Sequence, residues 1–93
     1  MDHTVAVTII RHWFPIMTFC PVNKLPDLIY VSVRYEGIFA ELYSVRRLVR
    51  AITSGKCKYM ETLAAEVLDA LPSAKSVTIR LAFNRHEVTV TRI

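Results

Sequence analysis

The feature that most limits what this chain can fold into is a double change in the spacing of its apolar residues. They alternate, then recur every three or four positions, then alternate again. In "HTVAVTIIRHW", Val5, Val7 and Ile9 share one face and Thr4, Ala6, Thr8 and Ile10 the other. That alternation among β-branched residues predicts a strand. "LIYVSVRYEG" repeats it, with Ile29, Val31, Val33 and Tyr35 opposite Tyr30, Ser32 and Arg34, and Gly37 ends it. From Glu41 to Ser54 the spacing changes: Leu42, Val45, Leu48, Val49 and Ile52 form a stripe, with Arg46, Arg47 and Arg50 on the other side. This predicts an amphipathic helix closed by Gly55. A second helix is expected from about Met60 to Leu71, on the stripe Leu63, Ala64, Val67, Leu68 and Leu71, limited by Pro72. "SVTIRLAF" and "EVTVTRI" return to alternation, with a hairpin turn expected at Asn84-Arg85.

The order strand, loop, strand, helix, helix, strand, strand predicts an α+β protein. Its four strands form an antiparallel sheet with two helices on one face, ββααββ. No repeat, low-complexity segment or linker interrupts the 93 residues, so one domain is expected over 1–93. The hydrophobic share is 53%, high for a chain this short. A membrane protein or a self-associating subunit would account for that. The uncharged run from Phe14 to Asn23 is broken by Pro15 and Pro21. It falls far short of the roughly 20 apolar residues a spanning helix needs. The N-terminus carries Asp2 and lacks the basic-then-apolar pattern of a secretory signal. A cytoplasmic homo-oligomer is therefore expected, without membrane contact. The second face of the sheet is expected to keep apolar side chains, which further copies would cover by extending the sheet at its edges.

Twelve Lys and Arg against eight Asp and Glu give a net charge of +4. That excess is compatible with a nucleic-acid partner, and most of the cations are arginines, suited to bidentate phosphate contact. Cys20 and Cys57 are the two cysteines. In a reducing compartment both are expected as free thiols.

The segment with the most chemistry is "MTFCPVNKLPD". Cys20 lies in the connection between two strands, where functional residues concentrate, and Pro21 and Pro26 restrict the backbone on both sides. A free thiol has a pKa of about 8.5, so a reactive Cys20 needs a base or a cation, and Asp27 is placed to exchange its proton. Against this, cysteine is among the most buried and inert residue types, and proline-aspartate is a common turn pair. Both readings stand on the residues alone.

Glu61 either complements the dipole of the second helix or accepts N–H donors from a heterocycle. Glu66 and Asp69 belong to the solvated face, and Cys57, between two lysines, reads as a connector residue. Trp13 and Phe14 are of a kind that stacks on a base, or that fills a core or interface. His3, His12 and His86 show no metal-ligand spacing, so no metal site is expected. No glycine-rich phosphate loop and no nucleophile elbow is present.

"FCPVNKLPD" resembles the nucleophile segment of the QueF family, Cys-Pro-Val followed after a few residues by Pro-Asp. Cys20, Pro21, Val22, Pro26 and Asp27 match at the family's spacing. "YMETLA" is similar to the segment of tunnelling-fold enzymes in which a glutamate anchors a purine- or pterin-like ring, and Glu61 is the matching residue. The resemblance covers the chain from about Thr18 onward. It implies a tunnelling fold that oligomerises into a barrel, as pentamer rings or a decamer, with the pocket between subunits.

One departure narrows the implied function. QueF nitrile reductases carry a Glu-Ser-Lys-Ser-like helix start that serves NADPH. The corresponding segment here is "ELYSVRRLVRAI", where Glu41 and Ser44 stay in register but Tyr43 replaces the lysine. Met60 also replaces the histidine usual before the anchoring glutamate. This pattern resembles the archaeal QueF-like branch, amidinotransferases that convert 7-cyano-7-deazaguanine in the tRNA D-loop to archaeosine.

That resemblance implies Cys20 as nucleophile and Asp27 as general acid/base. Glu61, with Glu41 and Ser44, would bind the substrate, and Arg46, Arg47 and Arg50 the tRNA phosphates. Ammonium would be the co-substrate, with no NADPH and no other cofactor. The partners would be tRNA carrying 7-cyano-7-deazaguanine, or the free base. The alternatives are an NADPH-dependent nitrile reductase with an altered cofactor site, and a non-catalytic module for a purine, a pterin or tRNA. An aldolase-like reading explains Glu61 but leaves Cys20 and Asp27 idle.

Overall fold

The structure is a computed structural model that describes residues 8–36 and 42–93. Its elements are β1 (Ile9–Phe19), β2 (Pro26–Glu36), α1 (Leu42–Thr53), α2 (Met60–Ala70), β3 (Ser76–Leu81) and β4 (Glu87–Thr91). The strands form one antiparallel sheet in the order β1-β2-β3-β4. The ββααββ arrangement expected from the spacing is the one observed.

Register explains the core. Phe14 stands opposite Val31, Val31 opposite Ile79 and Ile79 opposite Val88, so one row of apolar side chains crosses the whole sheet. His12, Val33, Val77 and Val90 make the next row, and Ile16, Ile29 and Leu81 the one after. Val45 and Val49 of α1, with Leu63, Ala64, Val67 and Leu68 of α2, complete the buried cluster on this face. Both helix stripes thus face the sheet, as period-3.6 amphipathicity requires. Thr53, at the end of α1, is fully buried, and its hydroxyl is satisfied by the Val49 carbonyl at 2.6 Å.

One expectation is corrected and one narrowed. The first strand does not give way to a loop at Phe14; β1 runs on through Pro15 to Phe19. The inward alternation His12, Phe14, Ile16, Thr18 continues across the proline. Pro15 is tolerated because β1 is an edge strand. The Met17 carbonyl and the Phe19 N–H both bond residues outside the sheet, Gly55 and Lys56. By the two-residue period of a strand, the nitrogen of Pro15 faces the same outer side, so no ladder bond to β2 is lost.

The second face of the sheet keeps apolar side chains on β1, as expected, but is otherwise mostly polar. Arg11, Arg34, Ser76 and Thr91 align across it, followed by Trp13, Ser32, Thr78 and Thr89, then Pro15, Tyr30, Arg80 and Glu87. Thr78 and Thr89 hydrogen-bond at 2.8 Å, and the Arg80 guanidinium lies 6.0 Å from the Trp13 ring. Apolar exposure on this face concentrates on β1, at Ile9 (47%), Trp13 (53%) and Met17 (48%). The reason is parity: β3 and β4 place polar residues at every outward position, and β2 does so from Tyr30 to Glu36, whereas β1 turns Ile9, Trp13 and Met17 outward.

Among the described residues, no helix is long and apolar enough to cross a membrane.

Candidate active site

The chain between β1 and β2 is a short, tightly bonded loop. Cys20 N–H donates to the Leu25 carbonyl at 2.9 Å, and Lys24 N–H donates to the Cys20 carbonyl at 2.8 Å. Asn23 accepts from Leu25 N–H through its side-chain oxygen at 3.0 Å, an Asx turn. Lys24 takes a left-handed conformation, φ 63°, the one non-glycine residue with positive φ among those described. Such a residue costs on the order of 1–2 kcal/mol, so the surrounding bonds must hold the loop in place.

The α1–α2 connection supplies part of that hold. Gly55, at φ 71°, ends α1 in the left-handed conformation its lack of a Cβ permits. Its N–H donates to the Met17 carbonyl at 2.9 Å, and Phe19 N–H donates to the Lys56 carbonyl at 2.9 Å. The connection therefore runs along the free edge of β1 and delivers α2 to the same end of the sheet as the Cys20 loop. Cys57 takes part in this seam: its thiol lies 3.6 Å from the Cys20 carbonyl and 3.7 Å from Lys24 Nζ. Both cysteines are free.

A half-open cavity of about 200 Å³ lies where the loop, the start of β2 and the start of α2 meet. Ile29, Leu63 and Leu81 give it an apolar wall. Cys20, Asp27 and Glu61 all line it, so residues singled out from two separate stretches of sequence share one cavity. Cys20 is half-buried just past the end of β1. Asp27 is the second residue of β2 and lies on the face that carries Ile29 and Val31, which directs it toward α2. Glu61 is in the first turn of α2. None of the three side chains hydrogen-bonds or ion-pairs with another described residue. Lys58, which also lines the cavity, is paired with Glu66 at 2.9 Å.

Of the other two residues expected in substrate binding, only Ser44 is among those described. Ser44 is exposed on α1 and does not line this cavity; Glu41 lies outside the described residues. Arg46, Arg47 and Arg50 are exposed along α1. The aromatic residues at the cavity are Phe19 and Tyr59, not Trp13 and Phe14: Phe14 is core, and Trp13 points to the opposite face. The sequence reading also missed His86, which reaches the cavity from the β3–β4 turn. Only the sheet pairing reveals it, because Ile29 stands opposite Leu81 and so brings that turn beside the start of β2. Among the described residues, no group of three or more His, Cys, Asp or Glu side chains is arranged to hold a metal.

No family model and no curated protein matches the sequence. A solved structure does: the crystal structure of the archaeosine synthase QueF-Like in the apo form matches with a TM-score of 0.70. The match covers 88% of this chain and 90% of that one, at 21% identity. Likeness at that identity is a likeness of fold, and the four-stranded sheet with its two helices is the tunnelling fold of that archaeosine synthase.

Proposed function

We propose that this protein is an amidinotransferase that converts the nitrile of 7-cyano-7-deazaguanine in the D-loop of archaeal tRNA to the amidine of archaeosine. The observation that carries this reading is the convergence on one cavity of Cys20, Asp27 and Glu61, whose side chains are unbonded to any other described residue. The fold shared with a structure described as an archaeosine synthase supports it.

The chemistry follows from these side chains. A nitrile carbon is a poor electrophile toward ammonia in water. Asp27 takes the Cys20 proton, the sulfur bonds to the nitrile carbon, and Asp27 delivers that proton to the nitrile nitrogen. One S–H bond is exchanged for one N–H bond, and a C–S bond forms at the expense of one C–N π bond. The product is a covalent thioimide. Ammonia then displaces the thiol and leaves an amidine, with no redox cofactor.

Glu61 accepts N–H donors from the deazaguanine edge and fixes the ring so that its nitrile meets sulfur, and such orientation accounts for a large part of a rate. Arg46, Arg47 and Arg50 contact tRNA phosphates. A second copy of the chain completes the half-open cavity, and Ser44 serves the cavity of that neighbour rather than its own.

The test uses tRNA carrying 7-cyano-7-deazaguanine, the protein and ¹⁵N-labelled ammonium, followed by nucleoside mass spectrometry. The reading requires a labelled amidine without NADPH. An amine formed only with NADPH would identify a nitrile reductase, and an unchanged nitrile with bound tRNA a non-catalytic module.

A further inference from the structure

The cavity contains an imidazole that the reading above leaves unused. His86 lines it together with Cys20, Asp27 and Glu61. Its backbone is fixed, since its carbonyl accepts the Leu81 N–H at 3.0 Å and so anchors the turn to the end of β3. Its imidazole makes no hydrogen bond or ion pair with another described residue. Lys58 is paired with Glu66, and Met60 has no proton to exchange. Asp27 is half-buried, whereas His86 is exposed where the cavity meets solvent.

We propose that His86 is a catalytic residue of the second half-reaction, the displacement of the Cys20 thioimide by ammonia; this rests on the function proposed above. Near neutral pH the incoming nitrogen is mainly ammonium, which has no lone pair for attack. It must lose a proton on arrival, and the departing sulfur must gain one. A neutral imidazole has one acceptor nitrogen and one N–H, so it performs both transfers in turn.

His86 takes a proton from ammonium, and the ammonia nitrogen bonds to the thioimide carbon. The C–S bond then breaks and protonated His86 returns the proton to the Cys20 sulfur. The product leaves as an amidinium that carries the charge ammonium brought in, so protons and charge balance and both side chains are regenerated. Asp27 is needed only in the first half-reaction, on the inner side of the cavity.

The experiment separates the two half-reactions. Rapid-quench intact mass spectrometry follows thioimide formation with the nitrile. Ammonium-dependent amidine release is then measured across pH for wild type, His86→Ala and His86→Asn. Adduct formation in both variants is expected within about threefold of wild type. Amidine release is expected to fall on the order of 100-fold, so that adduct accumulates. Added imidazole is expected to restore part of the His86→Ala rate.

The acid limb of the wild-type release profile is expected to be lost in both variants. Cys20, Asp27, Lys58, Tyr59 and Glu61 face the same cavity, and Arg85 and Glu87 flank His86 in sequence. Their contributions to the profile remain in the variants, so only the difference between profiles reports His86. Wild-type release rates in both variants would overturn the proposal. So would equal loss of adduct and release in variants with a native circular dichroism spectrum, because the histidine would then serve the first step or the site's shape. A wild-type protein that forms no adduct overturns the parent function, and this role with it.

Discussion

The Thr18 hydroxyl donates to the Asp27 carbonyl at 3.2 Å across the last rungs of the β1–β2 ladder, where the two residues stand directly opposite each other. Thr18 is buried and lies two residues before Cys20. This bond fixes the backbone of the proposed acid to the strand that carries the proposed nucleophile.

Replacing Thr18 with valine keeps the volume and removes the bond. A buried hydrogen bond contributes about 0.5–1.5 kcal/mol, so chemical denaturation is expected to show a loss of that size. Thioimide formation is expected to slow about three- to tenfold, as small misplacements of reacting groups cost rate. Unchanged rates with reduced stability would assign the bond to the fold alone.

Glu61 is the proposed anchor of the heterocycle, and its test is a split between binding and chemistry. Glu61→Gln removes the charge that strengthens N–H acceptance. A hydrogen bond to a charged group contributes about 1.5–3 kcal/mol, so affinity for 7-cyano-7-deazaguanine is expected to fall roughly 10- to 100-fold by calorimetry. Thermal stability is expected to change little, since Glu61 is exposed and unpaired among the described residues. Wild-type affinity in this variant would remove Glu61 from the site.

Arg92 closes the C-terminal end of α2. Its guanidinium donates to the carbonyls of Leu68 (2.6 Å), Leu71 (3.1 Å) and Ala74 (3.0 Å), and so ties the last turn of the helix to the turn that follows it. Arg92→Ala is expected to destabilise the protein by about 1–3 kcal/mol in urea unfolding, without changing the Cys20 adduct. A stability within error of wild type would contradict this assignment.

Tyr35 is fully buried, and its hydroxyl has no hydrogen-bond partner among the described residues. Desolvation by burial raises its pKa above the ordinary 10.0. The unfolded chain therefore ionises this phenol first, and the fold loses stability as pH rises above about 10. Tyr35→Phe is expected to flatten that alkaline loss and to be neutral or stabilising at pH 7, because it removes a buried group without a partner. Thermal unfolding at pH 7 and 10.5 checks both; an equal alkaline loss in the variant would refute the assignment.

The change of period at Glu41 and at Ser76 made the element order readable before any coordinates, because each spacing suits one kind of element. The same logic misplaced the end of β1. The alternating stretch "HTVAVTIIRHW" ends at Trp13, and only the sheet order shows that the strand can run on through Pro15, whose nitrogen faces an edge with no neighbouring strand. The polar outward positions of β2 were visible in Tyr30, Ser32 and Arg34. The apolar side chains expected on that face are present, but overall composition could not place them on β1, since it does not say which side of a strand a residue occupies. Cys20, Asp27 and Glu61 were legible as a local motif and a helix start. His86 was not, because its proximity to them is made by pairing between Ile29 and Leu81.

The central claim is that Cys20 is a nucleophile toward a nitrile. Intact mass spectrometry of the protein incubated with free 7-cyano-7-deazaguanine tests it most directly. A nucleophilic Cys20 gives a gain equal to the whole mass of the base, mapped to the peptide containing Cys20 and absent in Cys20→Ala. No gain in mass, or a gain that persists in Cys20→Ala, would contradict it.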